Sequence, residues 1–172
     1  MKRRSRLLTA VLLAASLLTI TWTAQAEEAL PSGGSAAPSI AQASDLAAQL
    51  GVLRGDGQGV TEAYLAKSTT RIQAAILYLR LLGKEGDALA YTGTDTFSDA
   101  SSAGKANAPV LAYLKNHPEY GWNGTGGNKF EPAAPVTSQQ LYKVMLEALG
   151  YKSGTDFDYD GTLAFAASKG LS

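Results

Sequence analysis

A capped helix that occurs twice constrains this chain more than any other feature. Thr70 is followed three residues later by Gln73, the spacing of a capping box. In a capping box the threonine hydroxyl accepts from the Gln73 backbone N–H, and the Gln73 side chain reaches back to the Thr70 N–H. Ala74, Ala75, Leu77, Tyr78, Leu79, Leu81 and Leu82 then supply an apolar helical face, and Gly83 stops the helix in a left-handed conformation. The device returns 67 residues on. Thr137-Ser138-Gln139-Gln140 opens a helix that runs through Leu149 and closes at Gly150. Leu79 falls on Leu146, Leu82 on Leu149, and Gln73 on Gln140. Two copies of one helix at one spacing predict an internal repeat. Through Leu79 and Leu146 the two helices are expected to pack on each other.

Arg71 is out of character in this pattern. It stands at the first helical position, beside the positive end of the helix dipole, where an anion is favoured and a cation is not. Free N–H groups and a guanidinium at one point would make an anion site. On residue type alone, a solvated arginine paired with a neighbouring carboxylate is the commoner outcome.

The first 26 residues read as an export signal. Lys2, Arg3, Arg4 and Arg6 precede an apolar run over residues 7–20, and Ala24-Gln25-Ala26 supplies a cleavage signal. That run is shorter than the roughly 20 residues a membrane span needs, so no stable span is expected after cleavage. Cleavage changes the charge balance. The formal net of zero becomes 11 Lys and Arg against 15 Asp and Glu, a net of −4. A broad nucleic-acid or anionic-membrane surface is therefore not expected, and an anionic ligand would need a local site. The chain has no cysteine, which excludes disulfides, thiol chemistry and cysteine-metal sites.

Residues 27–39 are rich in Ser, Gly, Ala and Pro and read as a flexible linker. Ser44 is the expected cap of the next helix, with Asp45 in its first turn, Leu46, Ala47 and Leu50 facing inward, and Gly51 at its end. A loop with Gly55, Gly57 and Gly59 leads through Tyr64-Leu65 to the Thr70 helix. Residues 84–91 read as a short helical or turn connection. Phe97-Ser98-Asp99 precedes a helix from about Lys105 to Asn116, which ends before Pro118. A second Gly-rich loop over residues 121–127 passes through Phe130 and Pro132 to the Thr137 helix, where Val136 and Leu141 are placed as a hydrophobic staple. Residues 166–171 then match residues 47–52, and the sequence stops where a third loop is due.

The order of these parts resembles the S-layer homology (SLH) domain family of Gram-positive cell-envelope proteins. The family pattern is Phe-x-Asp, a helix, a Gly-x-x-x-Gly-Asp-Gly loop, and Thr-Arg-Ala-Glu opening a second helix. Here Phe97-Ser98-Asp99 fits the first part, Gly51-Val52-Leu53-Arg54-Gly55-Asp56-Gly57 the loop, and Thr70-Arg71-Ile72-Gln73 the last at two of four positions. Phe130-Glu131-Pro132 before Thr137 is also similar to the family. The sequence departs from it in Gln73 and Gln140 for Glu, in Ser138 for the second Arg, and in lacking a tryptophan after Asp99. The expected fold is mainly α, as tandem helix–Gly-rich loop–helix repeats: 40–90, 91–151, and the truncated start of a third at 152–172.

The resemblance implies an exported protein of the cell wall or cell surface, attached noncovalently to anionic secondary cell-wall polysaccharide. Carried over by position, the ligand-binding residues are Arg71, with Gly55, Asp56, Gly57, Thr70 and Gln73. Two alternatives remain. One is a helical repeat scaffold that binds another envelope protein and has lost the sugar site. The other is an auxiliary part of a wall enzyme.

Other chemistry finds less support. Asp156, Asp158 and Asp160 with Gly161 resemble the start of a calcium loop, but Ala167 stands where its acidic twelfth ligand belongs, so no metal site is expected. His117, the only histidine, sits at a helix end and reads as a cap; no nucleophile elbow accompanies it. The sequence leaves a carboxylate pair for glycoside cleavage open, though the acidic residues fall mostly in loops and at helix edges. Tyr113, Tyr120 and Trp122 are candidates for a sugar-stacking platform or for packing. Asn123-Gly124-Thr125 reads as a turn before a glycosylation site. Neither catalysis nor a cofactor is expected.

Overall fold

Helix caps set the frame of the chain. A computed structural model describes residues 39–171, so the signal at 1–26 and the linker up to residue 38 lie outside the described residues. The fold is mainly α: α1 (Ile40–Gln49), α2 (Glu62–Leu65), α3 (Arg71–Leu81), α4 (Glu85–Leu89), α5 (Ala108–Asn116), α6 (Ser138–Ala148) and α7 (Thr162–Ser168). Short 3₁₀ turns cover Ala100–Ala103, Lys105–Asn107 and Pro118–Tyr120. Among the described residues extended pairing is limited to isolated bridges. No helix there is long and apolar enough to cross a membrane.

Both threonine boxes form. The Thr70 N–H donates to Gln73 Oε1 at 2.9 Å and the Thr137 N–H to Gln140 Oε1 at 3.2 Å, with the reciprocal bonds present. Both helices end in a Schellman motif. The Lys84 N–H reaches the Leu79 carbonyl at 2.7 Å, and the Tyr151 N–H reaches that of Leu146 at 3.1 Å, with Gly83 and Gly150 at φ 67° and 97°. A third box corrects the sequence reading of α1. Its cap is Ser39, with Gln42 at the third helical position, and Ser44 lies inside the helix, donating to the Ala41 carbonyl at 2.9 Å. Ser39 prevails because Gln42 can return a bond to it, whereas the residue three on from Ser44 is Ala47, which has no side-chain acceptor. The helix expected from Lys105 takes up α-geometry at Ala108, after one 3₁₀ turn.

Two apolar clusters organise the packing. α3 lies at the centre of the larger, which joins Ile72, Ala75, Tyr78 and Leu79 to Leu111 and Leu114 of α5, Trp122, Phe130 and Val144. Val136 and Leu141, the expected staple pair, pack against it. Each fully buried leucine contributes about 1.5–3 kcal/mol. The smaller cluster joins Leu146, Phe157 and Ala166, where α6 meets α7. Leu79 and Leu146 are both fully buried, but in different clusters. The expected contact between them is not made; α6 meets the α3 cluster through Val144 and Leu141 instead. α3 turns its apolar face to α4 and α5, and α6 turns Leu146 to α7.

The link between the two capped helices is the segment from Phe130 to Val136. The Val136 N–H donates to the Thr69 carbonyl at 2.9 Å, the Arg71 N–H to Ala134 at 2.8 Å, and the Ile72 N–H to Pro132 at 3.1 Å. Asp99 fixes the start of the segment by accepting from the Phe130 and Glu131 N–H groups at 2.9 and 2.8 Å.

Candidate functional site

These bonds overturn one element of the expected anion site. The N–H groups of Arg71 and Ile72 are taken by loop carbonyls, and that of Gln73 by the Thr70 hydroxyl at 3.4 Å. The start of α3 offers none of these three donors to a ligand. The segment that takes the first two lies some 60 residues away in sequence, so local spacing carries no trace of it.

The Arg71 side chain itself is buried, at 5% exposure, and is the one buried charged side chain among the described residues. Its Nε donates to the Phe130 carbonyl at 2.8 Å. The guanidinium carbon lies 5.0 Å from the centre of the Phe130 ring and 5.8 Å from that of Trp122, within cation–π range. Among the described residues it forms no salt bridge. Burial pulls its pKa down, and the more distant charge of Glu131, with Tyr159 and Asp99, opposes that shift. The solvated, carboxylate-paired arginine is therefore not what forms.

Arg71 lines a groove of about 530 Å³. The opposite walls come from the second Gly-rich loop (Trp122, Asn123, Gly124), from Gln140 and Lys143 of α6, and from Tyr159. The Tyr159 carbonyl is held by Gln139 Nε2 at 2.5 Å and the Thr162 hydroxyl at 2.7 Å. Lys143 is bound by both Glu147 carboxylate oxygens at 2.8 Å. Sequence reasoning did not identify Gln140, Lys143 or Tyr159 as site residues. The one available signal was that Gln140 and Lys143 share a face of a capped helix with the Gly-rich loop before it.

The other residues inferred from the resemblance go elsewhere. Gly55, Asp56 and Gln73 line a second groove of about 410 Å³, together with Tyr64, Lys67 and Arg80. Gly57 is exposed at the loop tip, and Thr70 serves as cap and as bridge to Pro135. Arg71 and the Gly55–Gly57 loop are not brought together. Every cation on this second groove has an anionic partner: Lys67 pairs with Asp56, and Arg80 Nε with Glu85 at 2.9 Å. The two grooves nevertheless correspond in register. Gly55, Asp56, Gln73, Ile76 and Leu77 line one, while Trp122, Asn123, Gln140, Lys143 and Val144, each 67 residues later, line the other.

Of the two readings of the aromatic residues, packing is the one that forms. Tyr113 and Trp122 are buried, packing with Tyr78, Tyr91, Tyr120 and Phe130. Burial, then Tyr120, pushes the Tyr78 hydroxyl up to about 12. His117 does sit at the end of α5, its ring tilted against that of Tyr113 at 4.1 Å between centres and bonded to Glu119 at 2.8 Å. Asp156 and Asp158 accept from the Lys152 and Gly161 N–H groups at 2.7 and 2.6 Å, as turn carboxylates do. No protein-family model, curated protein or solved structure matches this chain.

Proposed function

We propose that this is an exported cell-envelope protein that attaches noncovalently to anionic secondary cell-wall polysaccharide, with the Arg71 groove as the binding site. The observation that carries the reading is the buried guanidinium without an anionic partner, on the wall of an open groove. The aromatic rings and the more distant Glu131 and Asp99 only partly offset the desolvation of this guanidinium, and a ligand carboxylate in direct contact would offset the rest. Nε is engaged by Phe130, which leaves the two terminal nitrogens for an end-on bidentate pair with a carboxylate.

The organisation proposed with it is a tandem SLH-like array, with units at 40–90 and 91–151 and the beginning of a third at 152–172. Three features support it: the paired boxes at Thr70 and Thr137, the matching Schellman ends, and the 67-residue register of the two grooves. In this array an arginine from one unit serves the groove floored by the next.

A pull-down of the purified protein on cell walls, before and after extraction of secondary polymers, tests the function. Retention that disappears with the polymers and weakens with salt is expected. Retention that survives extraction would favour a protein partner in the envelope and overturn the polysaccharide reading.

A further inference from the structure

We propose that Glu147 makes the Arg71 groove selective for singly charged saccharides, by neutralising the second cation on its wall; the inference rests on reading that groove as an anion site. Lys143 is that second cation. Both oxygens of Glu147 hold its ammonium group at 2.8 Å, one helical turn away on α6. The two side chains are only 22% and 19% exposed, so solvent screens the pair weakly.

Gly121 seats this pair. Its backbone is left-handed, at φ 77°, and a Cβ there would collide with the Glu147 carboxylate. The glycine that starts the second loop thus makes the space in which Glu147 can turn to Lys143. With that pair closed, Arg71 is the one uncompensated charge on the groove among the described residues. One carboxylate balances it. A dianion such as a phosphomonoester brings a second negative charge that nothing in the groove offsets, while Lys143 is already committed.

Calorimetric titration with two probes tests this at about pH 8, where glucuronate is a monoanion and inorganic phosphate is largely a dianion. The wild-type protein is expected to prefer glucuronate. Glu147→Gln frees Lys143 and should raise phosphate affinity about tenfold, with a smaller gain for glucuronate, as an added charge at close range does. Lys143→Met leaves the carboxylate uncompensated and should weaken both probes, phosphate more. The double variant should restore the wild-type preference, which a purely structural role for Glu147 does not predict. Circular dichroism melts check that each variant is folded, and Lys143→Met decides the matter should Glu147→Gln not fold. Unchanged preference in the folded single variants, or a wild-type protein that prefers phosphate, would overturn the selectivity. Binding of either probe that is insensitive to Arg71→Ala would instead overturn the underlying reading of the groove.

Discussion

The two grooves share a build and differ in how their charges are settled. In the groove floored by α3, Arg80 bonds Glu85 and the Val52 carbonyl, and Lys67 bonds Asp56. In the groove floored by α6, Lys143 is paired within its own helix, but Arg71 is buried against aromatic rings with a single carbonyl partner. A cation satisfied inside the fold serves the fold. A buried cation left uncompensated weakens it, and persists in an otherwise ordinary helical protein when something outside the fold uses it. The difference between the grooves is that Arg80 is settled by a carboxylate inside the fold and Arg71 is not, which is what the proposed binding role for Arg71 rests on.

The comparison is sharpened first by the helices beneath the grooves. Leu79→Ala and Leu146→Ala should each cost about 2–5 kcal/mol in denaturant titrations. Because they sit in separate clusters, the double variant should be additive within about 0.5 kcal/mol. A larger coupling would mean that the two clusters behave as one core.

The glycines of the two loops come next. Gly121→Ala meets a left-handed backbone, Val144 at 3.3 Å and the movable end of Glu147, and should cost about 1–2 kcal/mol, somewhat more than a glycine in open space. Gly57→Ala, left-handed but in open space, should cost about 1 kcal/mol. Equal losses in thermal melts would remove the special place given to Gly121. The caps should not distinguish the grooves: Thr70→Ala and Thr137→Ala are each expected to lose about 1 kcal/mol.

Asp99 gives a smaller effect, set by pH. Burial opposes its charge, but the N–H bonds from Phe130 and Glu131 win and hold its carboxyl below the ordinary range. Its folded pKa is depressed, so its contribution is fully present above the unfolded value of about 4 and is lost as pH falls through the lower folded value. Acid titration of stability should therefore be shallower for Asp99→Asn than for wild type between about pH 4 and 2. An identical slope would show that Asp99 does not tie down the segment behind Arg71.

What the sequence made legible is local. Boxes at Thr70 and Thr137 and stops at Gly83 and Gly150 depend on residues within one or two turns, and they form as the spacing predicts. The cap of α1 was misplaced because Ser39 and Ser44 are both competent, and only the reciprocal bond from Gln42 decides between them. The site was only partly legible. Arg71 stood out through its place in the pattern, yet its carbonyl partner is 59 residues away and its burial depends on Trp122 and Phe130. Tyr113 and Trp122 are open to stacking or packing in the sequence, because their burial depends on distant partners such as Tyr78, Tyr91 and Phe130. Lys143 and Tyr159 join the site only through the tertiary arrangement of α6 and the turn before α7.

One substitution tests the central claim, that Arg71 is kept for a ligand and not for the fold. Arg71→Met retains much of the side-chain volume and removes the buried charge. Loss of the Phe130 bond and of the ring contacts costs about 1–3 kcal/mol, and removal of a desolvated charge with no ion-pair partner returns a comparable amount. Denaturant titration and wall binding, measured on the same preparation, should show stability unchanged within about 1 kcal/mol or raised, and affinity lowered by about one to two orders of magnitude. A variant that is markedly less stable and still binds walls like the wild type would contradict the account.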